Sequence, residues 1–236
     1  MSAQEQVRLD DYVQVVFFTG AGISKESGVP TYRGAGGIWK SYDYERYACQ
    51  AAFDEAPERV WEFHDYRREL VGKCQPNRGH AWIAELQRRR AGITVVTQNI
   101  DGLHQLAGSE GVLEVHGSLW RVRCDACRAL RDDRSVPFGE LRCPCGEGNW
   151  RPDITWFGDP LNEQVFGAAI AAALAADLVV TVGTSGVVFP AAQIPLLAAQ
   201  HGAMLVEVNP EETALSQYHD VCLRGSAADL LPTLAS

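Results

Sequence analysis

The chain has 236 residues, 46% hydrophobic and 22% charged, ample for one large domain or one domain with a lobe attached. Its net charge of −9 argues against an electrostatic nucleic-acid binder, so no direct nucleic-acid binding is expected, while basic protein segments stay compatible. No run reaches the roughly 18 uncharged apolar residues of a membrane span, and the N-terminal MSAQEQVRLDDY holds no signal-peptide core. Seven cysteines without an export signal imply reduced thiols, so a cytoplasmic protein with no membrane partner is expected.

Chain order opens with VQVVFFT, a predicted strand around residues 14–19, which feeds directly into GAGISKESGVPTYR. Gly20 and Gly22 permit a tight turn whose peptide N–H groups can cradle a pyrophosphate at a helix start. Lys25 replaces the third glycine of the dinucleotide fingerprint, so a plain glycine turn without ligand stays open at this point. Residues 36–75 hold aromatics and helical periodicity without a strand. In VWEFHDYRREL (60–70) a helical wheel gathers Val60, Phe63, Tyr66, Leu70 and Val71 on one apolar arc, with Arg67 inside it and His64 one turn before. Glu62, Asp65, Arg68 and Glu69 are expected to point elsewhere. An always-charged guanidinium on a buried face needs a carboxylate partner, internal or supplied by a ligand.

A predicted helix near 77–91 leads to the strand ITVVT (93–97), which ends in TQNIDGLHQLAG (97–108). There Gln98, Asn99 and Asp101 offer hydrogen-bonding groups for ribose hydroxyls and a carboxamide; an Asx-type turn is the plainer alternative. LEVH (113–116) puts His116 at a further strand end, where an imidazole of ordinary pKa is able to act as a base. His104 competes for that role and is taken as packing or support. Cys124, Cys127, Cys143 and Cys145 run C-x-x-C, fifteen residues, C-x-C, which predicts the closed S₄ set of one structural zinc, with unligated thiols as the alternative. Four sulfurs leave no open position for catalysis. Cys49, Cys74 and Cys222 read as small core or surface residues.

The last third alternates again: helix near 162–176, strand LVVTV (178–182), loop VGTSGVVFP (182–190), helix near 190–201 and strand MLVEV (204–208). Near-continuous apolar strands alternating with helices predict an α/β fold, a Rossmann-like parallel sheet with helices on both faces and ligand loops at the strands' carboxyl ends. Residues 36–75 and 119–152 break the alternation and are expected to form a smaller helical and zinc-binding lobe. Residues 1–35, 76–118 and 153–236 are then the Rossmann-like domain.

The ordered motifs GAGISKESGVPTYR, TQNIDGLH, HGSL, the cysteine quartet, RPDITWFGD, GTS and VEVNPEE resemble those of the sirtuins, the NAD-dependent protein lysine deacylases, over nearly the whole chain. The resemblance implies NAD as co-substrate and acyl-lysine proteins or peptides as partners. Gly20, Ala21, Gly22, Ser24, Pro30, Tyr32, Arg33 and Trp39 would then line the NAD crevice. Gln98, Asn99, Ile100 and Asp101 would hold the ribose and nicotinamide, Asn99 and Asp101 also serving catalysis. Gly183, Thr184, Ser185, Asn209, Pro210 and Glu211 would surround the adenosine half, with Ala227 near the adenine. His116 matches the general base that deprotonates a ribose hydroxyl once the acyl oxygen has displaced nicotinamide, the products being free lysine, nicotinamide and O-acyl-ADP-ribose. Phe157–Gly158 and Val187–Val188 match the two edges that clamp substrate peptide as an added strand.

RGAGGIW and WEFHDYRRE resemble the branch that removes succinyl and malonyl groups, in which a Tyr-x-x-Arg pair grips the acyl carboxylate. Here Arg67 keeps the arginine, His64 stands at the tyrosine position, and Ala35 leaves the pocket roomy. A protein mono-ADP-ribosyltransferase using the same NAD site, and a non-catalytic NAD-sensing zinc-ribbon module, are the alternatives. A dehydrogenase is disfavoured by the missing third glycine.

Overall fold

In the computed structural model, which describes residues 7–31 and 44–234, the run VVFFT forms strand β1 (Val15–Thr19), buried along its whole length. The chain continues through β2 (Ile93–Thr97), β3 (Leu113–Glu114), β4 (Gly117–Cys124), β5 (Leu130–Asp132), β6 (Trp150–Ile154), β7 (Leu178–Val182), β8 (Met204–Val208) and β9 (Val221–Leu223). Six of these form one parallel sheet in the order β3-β2-β1-β7-β8-β9, while β5-β4-β6 form a separate antiparallel sheet. β1 is central, with Phe17 in register between Val95 and Val180. That position explains why its residues are apolar without alternation: both faces of the strand are covered.

Helices α1 (Tyr44–Tyr47), α2 (Gln50–Glu55), α3 (Pro57–Gly72), α4 (Arg78–Arg89), α5 (Leu103–Leu106), α6 (Glu163–Ala175), α7 (Gln193–Gln200) and α8 (Ala227–Leu230) complete the fold. Val15 and Phe17 turn to one face of the large sheet, where they meet Ile83 of α4, Ala227 of α8 and the final turn Leu231–Leu234. Val16 and Phe18 turn to the other, against Ala169 and Ala173 of α6 and Ile194 and Ala198 of α7. Each fully buried aliphatic or aromatic side chain contributes about 1.5–3 kcal/mol by leaving water. Asn77 caps α4 by accepting from the Gly79 N–H at 2.9 Å, and Asn162 caps α6 by accepting from the Gln164 N–H at 3.0 Å.

A third apolar cluster joins Phe53, Val60 and Trp61 of the 44–72 helices to Leu119, Val122 and Trp150 of the small sheet. Two features here differ from the sequence expectation. The antiparallel sheet β5-β4-β6 and strand β9 were not predicted as strands. Arg121 and Arg123 lie within β4 and hide its pattern, because Arg121 is paired with Asp153 at 2.5 Å and Glu114 at 3.0 Å. On α3, Tyr66 is 47% exposed while Arg68 is fully buried, the reverse of the wheel. The reason is that α3 is covered on two sides, by the small sheet and by segment 133–138, so its buried face is wider than one apolar arc. Arg68 Nε donates to the Leu119 carbonyl (3.0 Å) and Nη1 donates to Asp133 (3.0 Å) and the Ser135 carbonyl (3.1 Å). Its guanidinium also lies 5.2 Å from the Trp61 ring and 5.5 Å from the Phe138 ring.

Arg68 thus clamps segment 133–138 onto α3. Cutting it to alanine removes the donor to two carbonyls and one partner of Asp133, which keeps Ser135 and Arg131, and empties the space the side chain fills. Arg68→Ala is expected to destabilise the protein by about 3–5 kcal/mol in denaturant unfolding. Glu69→Ala, which removes an exposed partner of Lys73, is expected to leave the unfolding midpoint in place.

Candidate active site

The strand order has its switch point between β1 and β7: from β1 the chain builds outward through β2 and β3, then returns to add β7, β8 and β9 on the other side. Parallel sheets bind ligands in the crevice at that point, outside the carboxyl ends of the strands. The loops that meet there carry the glycine motif, TQNID and GTS.

The glycine loop enters a 3₁₀ turn, Ala21–Ser27, pressed against the loop after β7. The Gly20 N–H donates to the Val182 carbonyl (2.9 Å) and the Gly22 N–H to the Gly183 carbonyl (2.8 Å). A Cβ on Gly22 would stand 2.6 Å from Gly183 Cα, and one on Gly183, whose φ is +59°, would stand 2.4 Å from the Ile23 nitrogen. Contacts that short are impossible for any other residue. Gly20 and Gly22 are therefore selected here by backbone packing across the switch point, and their own N–H groups bond to protein carbonyls rather than facing outward as the motif alone predicts.

Side chains from the loop after β2 fasten this junction. Gln98 Nε2 donates to Thr184 Oγ1 at 2.8 Å, and Asn99 Nδ2 donates to the Gly20 carbonyl at 3.0 Å and to Ser24 Oγ at 3.3 Å. Ser24 in turn donates to Asp101 Oδ2 at 2.7 Å, while Asp101 Oδ1 accepts from the Leu103 N–H at 2.9 Å. Asn209 Nδ2, at the end of β8, donates to the Thr184 carbonyl at 2.9 Å. Burial pushes the Asp101 carboxyl up from its ordinary value, opposed by the Leu103 and Ser24 hydrogen bonds and by the nearby Arg67 charge.

His116 sits between β3 and β4, half-buried, with Nδ1 3.0 Å from the Gln98 carbonyl. A carbonyl only accepts, so Nδ1 carries the proton and Nε2 is the basic nitrogen. Burial lowers its pKa from the ordinary value, with the Gln98 hydrogen bond acting in the opposite sense, so the ring is neutral and ready to take a proton at pH 7. Gly117 explains the HG pair: its φ is +78° and a Cβ would lie 2.0 Å from the Asp153 carbonyl oxygen. This is where β4 leaves His116 and turns onto β6.

Other sequence-predicted residues fall around this crevice. Ile100 is buried in the cluster that joins the small sheet to the 44–72 helices, Ala21 and Pro30 are half-buried, and Ser185, Pro210 and Glu211 are exposed on the loops after β7 and β8. Ala227 is buried at the start of α8. Phe157 and Val187 are 43% and 47% exposed, and Gly158, with φ +89°, has open space around it. Tyr32, Arg33, Ala35 and Trp39 lie outside the described residues. His64 and Arg67 are both buried. The His64 ring lies 5.9 Å from the Trp156 ring, nearly parallel to it. Its pKa is driven well down by burial first, then by the charges of Arg67, Arg151 and Arg68, with a Tyr47 backbone contact opposing.

The four predicted metal ligands come together: the sulfurs of Cys124, Cys127, Cys143 and Cys145 all lie within 4.8 Å of one another. Cys124–Cys145 and Cys127–Cys143 are 3.7 and 3.8 Å apart, matching the about 3.8 Å edge of a tetrahedron with zinc–sulfur bonds of roughly 2.3 Å. Gly146, with φ +81°, makes the turn that lets the tight C-x-C pair aim both sulfurs inward. The residues fit a structural zinc.

Sequence reasoning took His104 as packing or support, where it is found, and missed the rest of its polar layer, its partner His80 and the threonine chain beside it. His80 Nε2 lies 3.4 Å from Ser24 Oγ, and since that hydroxyl donates to Asp101, the imidazole is the donor. His104 Nε2 is 3.0 Å from Thr19 Oγ1, which donates to Thr97 Oγ1 at 2.8 Å; Thr97 Oγ1 also accepts the Asn99 N–H at 3.0 Å. The rings of His80 and His104 meet at 4.9 Å. Burial lowers His80 to about 4, and burial together with the His80 charge lowers His104 to about 3. Only the buried strand-end threonines hint at this layer in the sequence.

The model of the Sir2 family matches residues 20–190. The chain is 47% identical over 204 residues to NAD-dependent protein deacylase 1 of Caldanaerobacter subterraneus subsp. tengcongensis, covering 86% of this chain and 84% of that protein. It is 46% identical over 231 residues to NAD-dependent protein deacylase 1 of Pseudomonas aeruginosa, covering 94% and 92%. Among solved structures, a Sir2 homologue in complex with NAD superposes with a TM-score of 0.89 at 40% identity, over 96% of this chain and 89% of that one.

The buried histidine pair makes stability depend on acid. Both folded-state values, about 4 and about 3, lie below the ordinary 6.5, so the unfolded chain takes up these protons first. The stabilisation is complete above the unfolded value and is lost as pH falls from about 6.5 through about 4 for His80 and about 3 for His104. Melting temperature is expected to drop steeply through this window, and His80→Asn is expected to make the drop shallower; an unchanged slope in the variant would contradict it.

Proposed function

Because the chain belongs to the Sir2 family, we propose that it removes acyl groups, acetyl and also succinyl and malonyl, from protein lysines with NAD as co-substrate. The observation that carries this is His116, held through Nδ1–H by the carbonyl of Gln98, on the loop that also carries Asn99 and Asp101, so that Nε2 is left basic. The residues fit NAD: Gln98, Asn99, Ile100 and Asp101 would hold the ribose and nicotinamide, and Gly183, Thr184, Ser185 and the Asn209–Glu211 loop the adenosine half. Ala21, Ser24 and Pro30 belong to the same wall, as do Tyr32, Arg33 and Trp39 in the reading from sequence. NAD, when bound, supplies the electrophilic ribose carbon and a hydroxyl whose proton must be removed. His116 accepts that proton at Nε2, and the buried Asn99–Ser24–Asp101 array keeps its groups pre-aimed, so orientation and fixed dipoles do the catalytic work.

Phe157, Gly158 and Val187 offer the two exposed edges between which a substrate strand is read to lie. Cys124, Cys127, Cys143 and Cys145 would hold a structural zinc that ties β4 to the 143–149 turn. The division into a Rossmann-like domain and a lobe of residues 36–75 and 119–152 is kept as part of this reading, as is a cytoplasmic location. Among the described residues, no helix is long and apolar enough to cross a membrane.

Acetyl-, succinyl- and malonyl-lysine peptides with NAD, followed by mass spectrometry, are expected to yield free lysine and O-acyl-ADP-ribose. His116→Ala is expected to lower turnover by about 10²–10⁴-fold. ADP-ribose retained on protein would instead mark a transferase, and tight NAD binding without turnover a sensor.

Acyl selectivity follows from Arg67 rather than from a second cation. Arg67→Met is expected to lower desuccinylation at least about tenfold more than deacetylation; equal losses would make Arg67 structural. A charged His64 at the tyrosine position would lose its grip on the acyl carboxylate as pH rises. Its pKa is instead held well below 6.5, so the succinyl-to-acetyl ratio is expected to stay flat between about pH 6 and 8.5.

A further inference from the structure

Glu207 is the penultimate residue of β8, directly before the loop that carries Asn209, Pro210 and Glu211. Its side chain is 2% exposed. Oε1 accepts from Thr213 Oγ1 at 2.5 Å, and Oε2 accepts from Ser216 Oγ at 2.6 Å and from Arg224 Nη1 at 2.5 Å. Burial alone would raise this carboxyl, yet the three donors bring it below the ordinary glutamate value. Arg224 carries the network further: Nη1 also donates to the Glu211 carbonyl at 3.3 Å and Nη2 to Ser216 Oγ at 3.1 Å. Arg224 follows β9 and stands three residues before Ala227, the first residue of α8. The Asn209 N–H closes the other side on the Leu223 carbonyl at 3.1 Å.

One buried carboxylate therefore ties Thr213 and Ser216 to Arg224, which also holds the Glu211 carbonyl and lies three residues before α8. Glu207 is buried while the Arg224 side chain is 36% exposed, so the pair adds little net stability, yet a buried carboxylate with three donors fixes geometry. What it fixes here is the spacing of two loops at the strand ends.

We propose that Glu207 and Arg224 are positioning residues for the adenosine half of NAD, holding the Asn209–Glu211 loop and the start of α8 at binding distance through the Thr213, Ser216 and Glu211 contacts. This rests on the reading of those two segments as the adenosine site. The pair acts on dinucleotide affinity and leaves acyl-peptide binding and the His116 step alone.

The test uses ADP-ribose binding by titration calorimetry, together with steady-state kinetics on an acetyl-lysine peptide. Arg224→Met is expected to raise the ADP-ribose Kd and the NAD KM together by roughly tenfold, with kcat and peptide KM within about twofold of wild type. Arg224→Lys keeps the charge but cannot fork between Glu207 and Ser216, and is expected to restore part of the affinity. A merely structural role would lower the melting temperature and the active fraction while the folded variant bound ADP-ribose like wild type, and that result would overturn the proposal. So would a parallel rise in peptide KM. If Arg224→Met does not fold, Glu207→Gln decides, since it keeps the side chain's size and its hydroxyl donors, and is expected to weaken ADP-ribose by roughly threefold. Wild-type protein that fails to bind ADP-ribose would refute the NAD reading itself, and the pair's role with it.

Discussion

Between Gly22 and Gly183 two backbones meet with no room for a side chain on either. That approach brings the loop after β1 against the loop after β7 at the one place where the strand order reverses. Once it is made, short side chains suffice to finish the crevice: Asn99 reaches the Gly20 carbonyl, and Gln98 and Asn209 reach Thr184. Each bond is modest alone, about 1 kcal/mol net. Together they join four strand ends, those of β1, β2, β7 and β8, into one surface, and His116 is anchored to the same surface through the Gln98 carbonyl.

Beneath that surface the protein buries polarity in two distinct ways. In the larger unit it keeps buried imidazoles neutral: His80 and His104 are surrounded by hydroxyls and by each other, and charging either would place a cation beside the other. Around the small antiparallel sheet it buries cations outright and pairs them, leaving Arg68 Nη2 and Arg151 Nε without a hydrogen-bond partner. Arg68 has Asp133 and two carbonyls, and Arg151 has Asp159 and the Ile154 carbonyl. These guanidinium groups, with Arg67, set the potential felt by His64.

The same division explains how function and stability share residues. The Asn99–Ser24–Asp101 array and the His104–Thr19–Thr97 chain are buried and satisfied largely by one another, as low-dielectric networks must be. A group that holds a site residue in place is therefore also part of the fold's own hydrogen bonding. The acid sensitivity of the histidine layer and the geometry of the site arise from one set of contacts.

The amino-acid sequence by itself determined the parallel sheet, the helices on its faces and the ends of four of its strands, because apolar runs such as VVFFT and LVVTV report burial on both sides. The run LEVH stops being a strand at Glu114, before His116. It determined the cysteine quartet too, since thiol spacing alone limits what four sulfurs can do, and it marked His116, Asn99 and Asp101 through ordered motifs. Tertiary structure alone decided the small antiparallel sheet, where paired Arg121 and Arg123 mask a strand, and the burial of Arg68, which no helical wheel places inward. It also decided that Gly20 and Gly22 serve backbone contact with Gly183, and that Glu207 and Arg224 belong to one network. The physical reason is common to all of these. A local pattern reports how a segment meets water, whereas the partner of a buried charge, or the backbone lying against a glycine, comes from a distant part of the chain and leaves no local trace.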